Sequence, residues 1–265
     1  VFEVRDLWPQ QIIDLGVLRN SQLIRLLRGV EHFLYRKASV IITVAEATRR
    51  ALIQSGVASE KVHTVTNAIA LDVFKPQPRL GAMRYRYGWG ERTLVMYIGT
   101  HGLSQGLETV LAAARELGER EDIHIVFVGS GAERESLMHL AKERDLANVE
   151  FIPSQPREDM PEFYAAADIC LVPLKQREVF LTNIPSKMFE IMACARPIIL
   201  GVEGQGRELL QAAEAGIAVP PEDAGAMAEA IRALVDDPEA RRRYGENGRR
   251  YVEKASNRAE KAGEL

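Results

Sequence analysis

Leu94-Val95-Met96-Tyr97-Ile98-Gly99-Thr100-His101-Gly102-Leu103-Ser104-Gln105-Gly106 runs from five apolar residues straight into a polar loop holding three glycines, and a helical pattern follows. A short, wholly apolar run bounded by turn residues reads as a strand buried on both faces. The same order recurs downstream in His124 to Val128, Val149 to Ile152, Ile169 to Val172, Ile198 to Leu200 and Ile217 to Val219, each followed by an amphipathic helical pattern. Buried strands alternating with helices predict an α/β fold, a doubly wound parallel sheet that takes ligands outside the carboxyl ends of its strands. Upstream, a shorter set is predicted: a strand at Val1 to Val4, a helix from Ser21 to Lys37, a strand at Val40 to Val44, a helix ending near Gly56 and a strand at Val62 to Thr66. Between the two sets, Asn67 to Arg92 carries Pro76, Pro78, Gly81, Gly88 and Gly90 without a steady period, and reads as an interdomain linker. The expected division is residues 1–75, 76–237 and a helical segment 238–265.

The 265 residues carry 34 Lys and Arg against 37 Asp and Glu, a formal charge of −3 that gives no reason to expect nucleic acid. At 46% hydrophobic and 27% charged the composition is globular, which excludes disordered and collagen-like chains. Apolar runs such as Pro197-Ile198-Ile199-Leu200 fall far short of the roughly 20 residues that span a bilayer. The two cysteines, Cys170 and Cys194, sit in apolar surroundings without metal-site spacing and read as buried thiols in a cytoplasmic protein. Val1 opens a strand already in progress, with no basic or apolar leader before it, so the sequence reads as a fragment.

Three strand-to-helix loops carry the chemistry. In the first, Gly99, Thr100, His101 and Gly102 let backbone amides approach an anion, with the positive end of the next helix behind them. The second, Gly129-Ser130-Gly131, begins like a dinucleotide fingerprint but has Arg134 where that pattern needs Gly or Ala. It reads equally as a tight turn or a ligand contact. The third, Thr182-Asn183-Ile184-Pro185-Ser186-Lys187-Met188-Phe189-Glu190, places Pro185 in the first turn of a helix with Thr182 and Asn183 as caps, so that free amides would face the crevice. Lys187 and Glu190 are three apart and share a helix face. Such a pair is usually a solvated surface feature, but at the end of a strand Lys187 can neutralise phosphate and Glu190 can accept hydrogen bonds from a ribose diol. No Asp-x-Asp metal motif occurs, and no two histidines have metal-ligand spacing.

The run Pro185-Ser186-Lys187-Met188-Phe189-Glu190-Ile191-Met192-Ala193, followed by Arg196-Pro197-Ile198-Ile199, resembles the donor-site signature of glycosyltransferase family 4, retaining enzymes of the two-domain GT-B fold. Gly99-Thr100-His101-Gly102 with Gln105-Gly106-Leu107, and Glu3-Val4-Arg5-Asp6-Leu7-Trp8-Pro9, narrow the resemblance to bacterial members that build surface polysaccharides. The resemblance implies that residues 1–75 are the end of an acceptor-binding domain and 76–237 a complete nucleotide-sugar-binding domain. It implies Glu190 on the ribose hydroxyls and the backbone of Phe151-Ile152-Pro153 on the base, with uracil favoured. The family often has a second Glu at the position of Thr182 and a basic pair at those of Thr100 and Gln105, all absent here. Lys187 is then expected to carry the diphosphate charge, assisted by His101 and the amides around Gly102 and Asn183. Arg5 stands where relatives often have a cleft-lining His, and reads either as a second catalytic group or as a surface ion pair.

The implied activity is transfer of a hexosyl or N-acetylhexosaminyl unit from a UDP-sugar to a hydroxyl, with retention, no metal and no further cofactor. The donor would be held by Glu190, Ser186, Asn183, Thr182, Gly99, Thr100, His101, Gly102, Gly129, Ser130 and Pro153. The alternatives are a GT-B sugar-nucleotide epimerase and a non-catalytic sugar-nucleotide-binding module. The expected partner is a saccharide or lipid-linked saccharide acceptor, and a lipid-linked one would bring the cytoplasmic enzyme to the inner face of the plasma membrane. The helix at Ser21 to Lys37 bears on this, since Leu23, Leu26, Leu27, Val30, Phe33 and Leu34 form one apolar face and Arg25, Arg28, His32 and Arg36 recur on another. The first reading is a helix packed on the core, the second a stripe resting on anionic headgroups.

Overall fold

The computed structural model describes residues 1–67 and 69–255. In chain order the first elements are β1 (Phe2–Val4), α1 (Gln10–Asp14), α2 (Ser21–Lys37), β2 (Ile41–Thr43), α3 (Glu46–Gln54), β3 (Val62–Thr64) and α4 (Ala82–Arg86). Then come β4 (Thr93–Ile98), α5 (Leu107–Glu116), β5 (Ile123–Val128), α6 (Arg134–Glu143), β6 (Val149–Ile152), α7 (Met160–Ala166), β7 (Ile169–Pro173) and α8 (Lys187–Ala193). The last are β8 (Ile198–Gly201), α9 (Gln205–Ala213), β9 (Gly216–Ala218), α10 (Ala224–Asp236) and α11 (Pro238–Ala255).

The apolar runs form two parallel sheets. The first is ordered β1-β2-β3, with Phe2 paired to Ile41 and Ile41 to Val62, over a small core of Val4, Tyr35, Ile41, Leu52 and Val62. The second is ordered β6-β5-β4-β7-β8-β9. Its strands are buried on both faces, by α5 and α10 on one side and by α7, α8 and α11 on the other, so each face has its own core. Chain progression runs outward from β4 through β5 to β6, then restarts on the other side of β4 with β7. That reversal opens a crevice between the carboxyl ends of β4 and β7, where sheets of this kind bind ligands.

The elements differ from the expectations in informative places. The stretch 67–92 is no bare linker: Ile69, Phe74, Met83 and Trp89 are buried against the six-stranded sheet. Helix α2 begins at Ser21 because the side chain of Asn20 accepts from the amides of Gln22 and Leu23. Within the described residues Leu23, Leu26, Val30, Phe33 and Leu34 of its apolar stripe are exposed, and Tyr35 is the helix's buried residue. The expected segment 238–265 is helical through Ala255, and its last ten residues lie outside those described.

At the amino ends of β4, β7 and β8 an open hollow is lined by Arg79, Arg196, Arg241, Arg242, Arg249 and Arg250, and every one of these guanidinium groups has a partner. Arg79 and the buried Arg84 share Asp168, whose carboxylate also accepts from the Leu94 amide at 2.8 Å. Arg196 donates to the carbonyls of Tyr164, Ala165 and Gln77. Arg249 donates to those of Phe74 and Ala193. This end of the sheet is fastened by satisfied charges.

Candidate functional site

The crevice at the opposite end is built from the loops after β4, β5 and β7. The first two lie backbone against backbone: the His101 amide donates to the Ser130 carbonyl at 2.8 Å and the Glu133 amide to the His101 carbonyl at 2.9 Å. A Cβ on Gly129 would overlap the Gly99 carbonyl, and one on Gly131 would overlap the backbone of His101. Both glycines hold positive φ, 148° and 155°. The Gly-Ser-Gly motif therefore serves the close approach of two loops. Ser130 remains exposed beside it.

Lys187 opens α8 and reaches across the switch point. Its Nζ lies 4.0 Å from the centroid of the Tyr97 ring, and a Cβ on Gly99 would sit only 2.6 Å from it. Glycine at 99 is what leaves room for the ammonium. Among the described residues Lys187 makes no hydrogen bond and no ion pair, and its pKa is lowered to about 7 by burial, against a smaller opposing pull from Glu190. A lysine half charged near neutral pH and facing a glycine loop is poised to gain an anion.

Glu190 is not the partner of Lys187. Its Oε1 accepts from Arg157 Nη2 and its Oε2 from Tyr164 Oη, each at 2.9 Å. Each carboxylate oxygen keeps capacity for another donor, as a pair of ribose hydroxyls requires. Burial, together with the Glu190 charge, raises the Tyr164 hydroxyl well above its ordinary pKa, so it remains a donor. Arg157, Tyr164 and Tyr97 escaped the sequence reading. Tyr164 and Arg157 lie 26 and 33 residues before Glu190, and no local pattern links them.

The remaining predicted residues divide. Thr100 is exposed, and its carbonyl accepts from Tyr97 Oη at 2.7 Å; Gly102 is half-buried next to it. His101 is fully buried among Tyr97, Phe127 and Phe151, and burial first, then the charges of Arg134 and Lys187, lowers its pKa to about 4. It is neutral at physiological pH and adds no charge to the crevice. Pro153 is exposed at the end of β6, its carbonyl accepting from Gln155.

The expected helix start is corrected: Ser186 is the residue before α8, and Pro185 lies outside it. Neither Thr182 nor Asn183 caps α8, because Thr182 Oγ1 donates to Val179 within its own turn and Asn183 Nδ2 donates to Asp6. The amides of Met188 and Phe189 are already bonded to the carbonyls of Pro185 and Ser186, so they are not free for a ligand. Arg5 is exposed, bonded to Asn67 at 3.1 Å and 3.7 Å from Glu3, with no contact to Lys187 or Glu190. The bridge from the first sheet to the crevice is its neighbour: Asp6 Oδ1 accepts from Asn183 Nδ2 at 3.2 Å. Among the described residues no group of three or more His, Cys, Asp or Glu is placed to hold a metal ion, and no helix is long and apolar enough to cross a membrane.

Residues 84–251 match the family described as glycosyl transferases group 1. The chain is similar to the alpha-D-kanosaminyltransferase of Streptomyces kanamyceticus, 28% identical over 226 residues that cover 83% of this chain and 57% of the relative. It is similar to the GDP-mannose-dependent alpha-(1-6)-phosphatidylinositol monomannoside mannosyltransferase of Mycolicibacterium smegmatis, 28% identical over 220 residues, 81% of this chain and 58% of the relative. The chain thus spans less than two thirds of the curated relatives it matches. Among solved structures, the Anabaena protein Alr3699/HepE in complex with UDP and glucose superposes with a TM-score of 0.84 at 18% identity, over 99% of this chain and 69% of that one. At that identity the likeness speaks for the fold, which is GT-B. With a family match that begins in α4 and ends in α11, enclosing the crevice and every element that builds it, the chain belongs to the group 1 glycosyl transferases.

Proposed function

We propose that the crevice between β4 and β7 binds a nucleoside diphosphate sugar, with uracil as its base, and that the protein transfers the sugar to an acceptor hydroxyl with retention of configuration. The observation that carries this reading is the unpaired ammonium of Lys187 at the glycine loop, one helical turn from a Glu190 carboxylate with free acceptor capacity on both oxygens. Transfer with retention requires the diphosphate to be stabilised as it leaves while the acceptor attacks from the same face, so charge stabilisation is the main task. Lys187 supplies it next to a buried aromatic ring, where a charge interaction is stronger than in water. Glu190, oriented by Tyr164 and Arg157, fixes the ribose and so the position of the sugar–phosphate bond. The reading assigns these tasks to side chains, with no metal and no further cofactor.

Incubation of the full-length protein with UDP-hexoses and UDP-N-acetylhexosamines, together with lipid-linked saccharide acceptors, tests the proposal. Transfer with retained anomeric configuration is the expected outcome. Epimerised donor without transfer would establish the epimerase reading, and donor binding with neither reaction the binding module.

The proposal extends to a lipid-linked acceptor reached from a membrane surface. Its support is the exposed stripe of Leu23, Leu26, Val30, Phe33 and Leu34 on α2, flanked by exposed Arg25, Arg28 and Arg36. Each arginine near anionic headgroups contributes about 1 kcal/mol, enough for reversible, salt-sensitive attachment. Sedimentation with anionic liposomes should fall when the three arginines are replaced by Gln. Unchanged sedimentation would leave the stripe without a membrane role.

A further inference from the structure

Among the described residues only three buried side-chain nitrogens lack a hydrogen-bond partner: His101 Nδ1, His101 Nε2 and Arg134 Nε. Buried polar atoms are nearly always paired, and an unpaired one costs about 1–3 kcal/mol. All three lie together, on the interleaved loops after β4 and β5 at the crevice mouth. Their clustering there marks a place completed by something other than the protein.

Arg134 is the first residue of α6, the position that spoils a dinucleotide fingerprint. Its amide bonds the Gly131 carbonyl at 3.2 Å, which ties the guanidinium's root to the loop packed on His101. Among the described residues no carboxylate lies within 4.0 Å of its nitrogens. The neighbouring Glu133 carboxylate is taken by Lys175 at 3.7 Å. The terminal nitrogens of Arg134 make no hydrogen bond and, unlike Nε, are not enclosed. Arg134 and Lys187 both act on the His101 imidazole, which lies against Tyr97, the ring that also carries Lys187. Two unpaired cations therefore lie by one neutral, buried histidine, whereas Arg79, Arg84, Arg196 and Arg249 at the opposite end of the six-stranded sheet are tied to carbonyls and a carboxylate.

We propose that Arg134 is the second cation of the diphosphate site, its guanidinium taking a phosphate oxygen of the donor while Lys187 takes another, with His101 as the neutral spacer that holds the two apart. The inference rests on the crevice being a nucleoside diphosphate site. It accounts for the absence of basic residues at Thr100 and Gln105: the charge is supplied from the next loop instead. Because the guanidinium is a planar fork, two parallel hydrogen bonds to phosphate are available that a lysine could not reproduce.

The test is calorimetric titration of UDP, GDP, UMP and uridine into the wild-type protein, Arg134→Gln and Arg134→Lys. Arg134→Gln should weaken binding of the preferred nucleoside diphosphate at least tenfold, weaken the monophosphate less and leave uridine unchanged, with Arg134→Lys recovering part of the loss. Its ligand-free melting temperature should not fall, since the replaced group has no partner to lose. Diphosphate affinity equal to wild type in Arg134→Gln, or an equal loss for diphosphate and uridine, would overturn the role of Arg134 while leaving the site reading intact. A wild-type protein that binds neither UDP nor GDP would overturn both.

Discussion

The two ends of the six-stranded sheet are both rich in positive charge and use it in opposite ways. At the amino end, Arg79, Arg84, Arg196 and Arg249 are each tied to carbonyls or to a carboxylate, and Asp168 accepts from two of them and from the β4 backbone. At the carboxyl end Lys187 has no such partner, and the nitrogens of His101 are enclosed without one. The amino end has an open hollow, yet its charge holds the loop 74–92, α8 and α11 together. The crevice is set apart by its unsatisfied polar groups. Pairing separates structural charge from functional charge here, and that separation can be attacked by substitution.

The largest effect is expected at the satisfied end. Asp168→Ala removes the shared acceptor and leaves the Arg84 guanidinium buried without its counter-ion. Breaking a buried pair from one side costs about 3–5 kcal/mol. Urea unfolding should show a loss of that size, while UDP affinity of the folded variant stays within about threefold of wild type, the scale of 0.6 kcal/mol. A variant of normal stability would mean that these arginines are as free as those of the crevice.

Lys187→Met should do the reverse. Loss of a charged hydrogen-bonding group weakens UDP binding by about 10- to 100-fold, yet the ligand-free protein should become no less stable, because the half-buried ammonium has no partner to lose. The depressed pKa fixes the pH dependence. With about 7 in the folded protein against 10.5 for an ordinary lysine, the unfolded chain binds more protons between those values, so Lys187 makes stability rise with pH across that window. Binding has the opposite slope, since the diphosphate requires the charged form: affinity should fall by up to tenfold per pH unit above about 7, where the ligand itself is fully ionised. Lys187→Arg should flatten the profile. A wild-type affinity constant from pH 7 to pH 9 would show that Lys187 does not meet the phosphates.

The comparison also marks what the sequence could disclose. The strands were legible because each is a short apolar run, and the six-stranded sheet follows from their alternation with helices. Lys187, Glu190 and the loop at Gly99 were legible because they stand in a motif directly after strands. Pairings over long separations were not: nothing near Glu190 announces Tyr164 or Arg157, and nothing near Thr100 announces that its neighbour's imidazole would be buried rather than presented. The start of α8 was misplaced because Pro185 commonly opens a helix, whereas here its carbonyl accepts the Met188 amide from outside. The apolar stripe of α2 leaves a core and a membrane surface both open, because periodicity reports a face and does not report what lies opposite it.

The smallest expected effect is at Glu190, the carboxylate proposed to hold the ribose. Glu190 accepts one hydrogen bond on each oxygen from the protein and keeps room for two more. Glu190→Gln turns one oxygen into a donor, so the amide keeps its oxygen on Arg157 and donates to Tyr164 Oη, while the charge is lost and one ribose hydroxyl no longer finds an acceptor there. Tyr164→Phe removes only the orienting bond on Oε2. The Gln variant should lower uridine affinity by about fivefold to tenfold, near 1 kcal/mol, and the Phe variant by less, with the ratio of UDP to uridine affinity unchanged in both. That constant ratio separates a ribose role from a phosphate role, since Lys187→Met should change the ratio and these should not. If Glu190→Gln instead weakens UDP far more than uridine, the carboxylate acts on the phosphate end through Lys187, and the division of the crevice into a ribose half and a phosphate half is wrong.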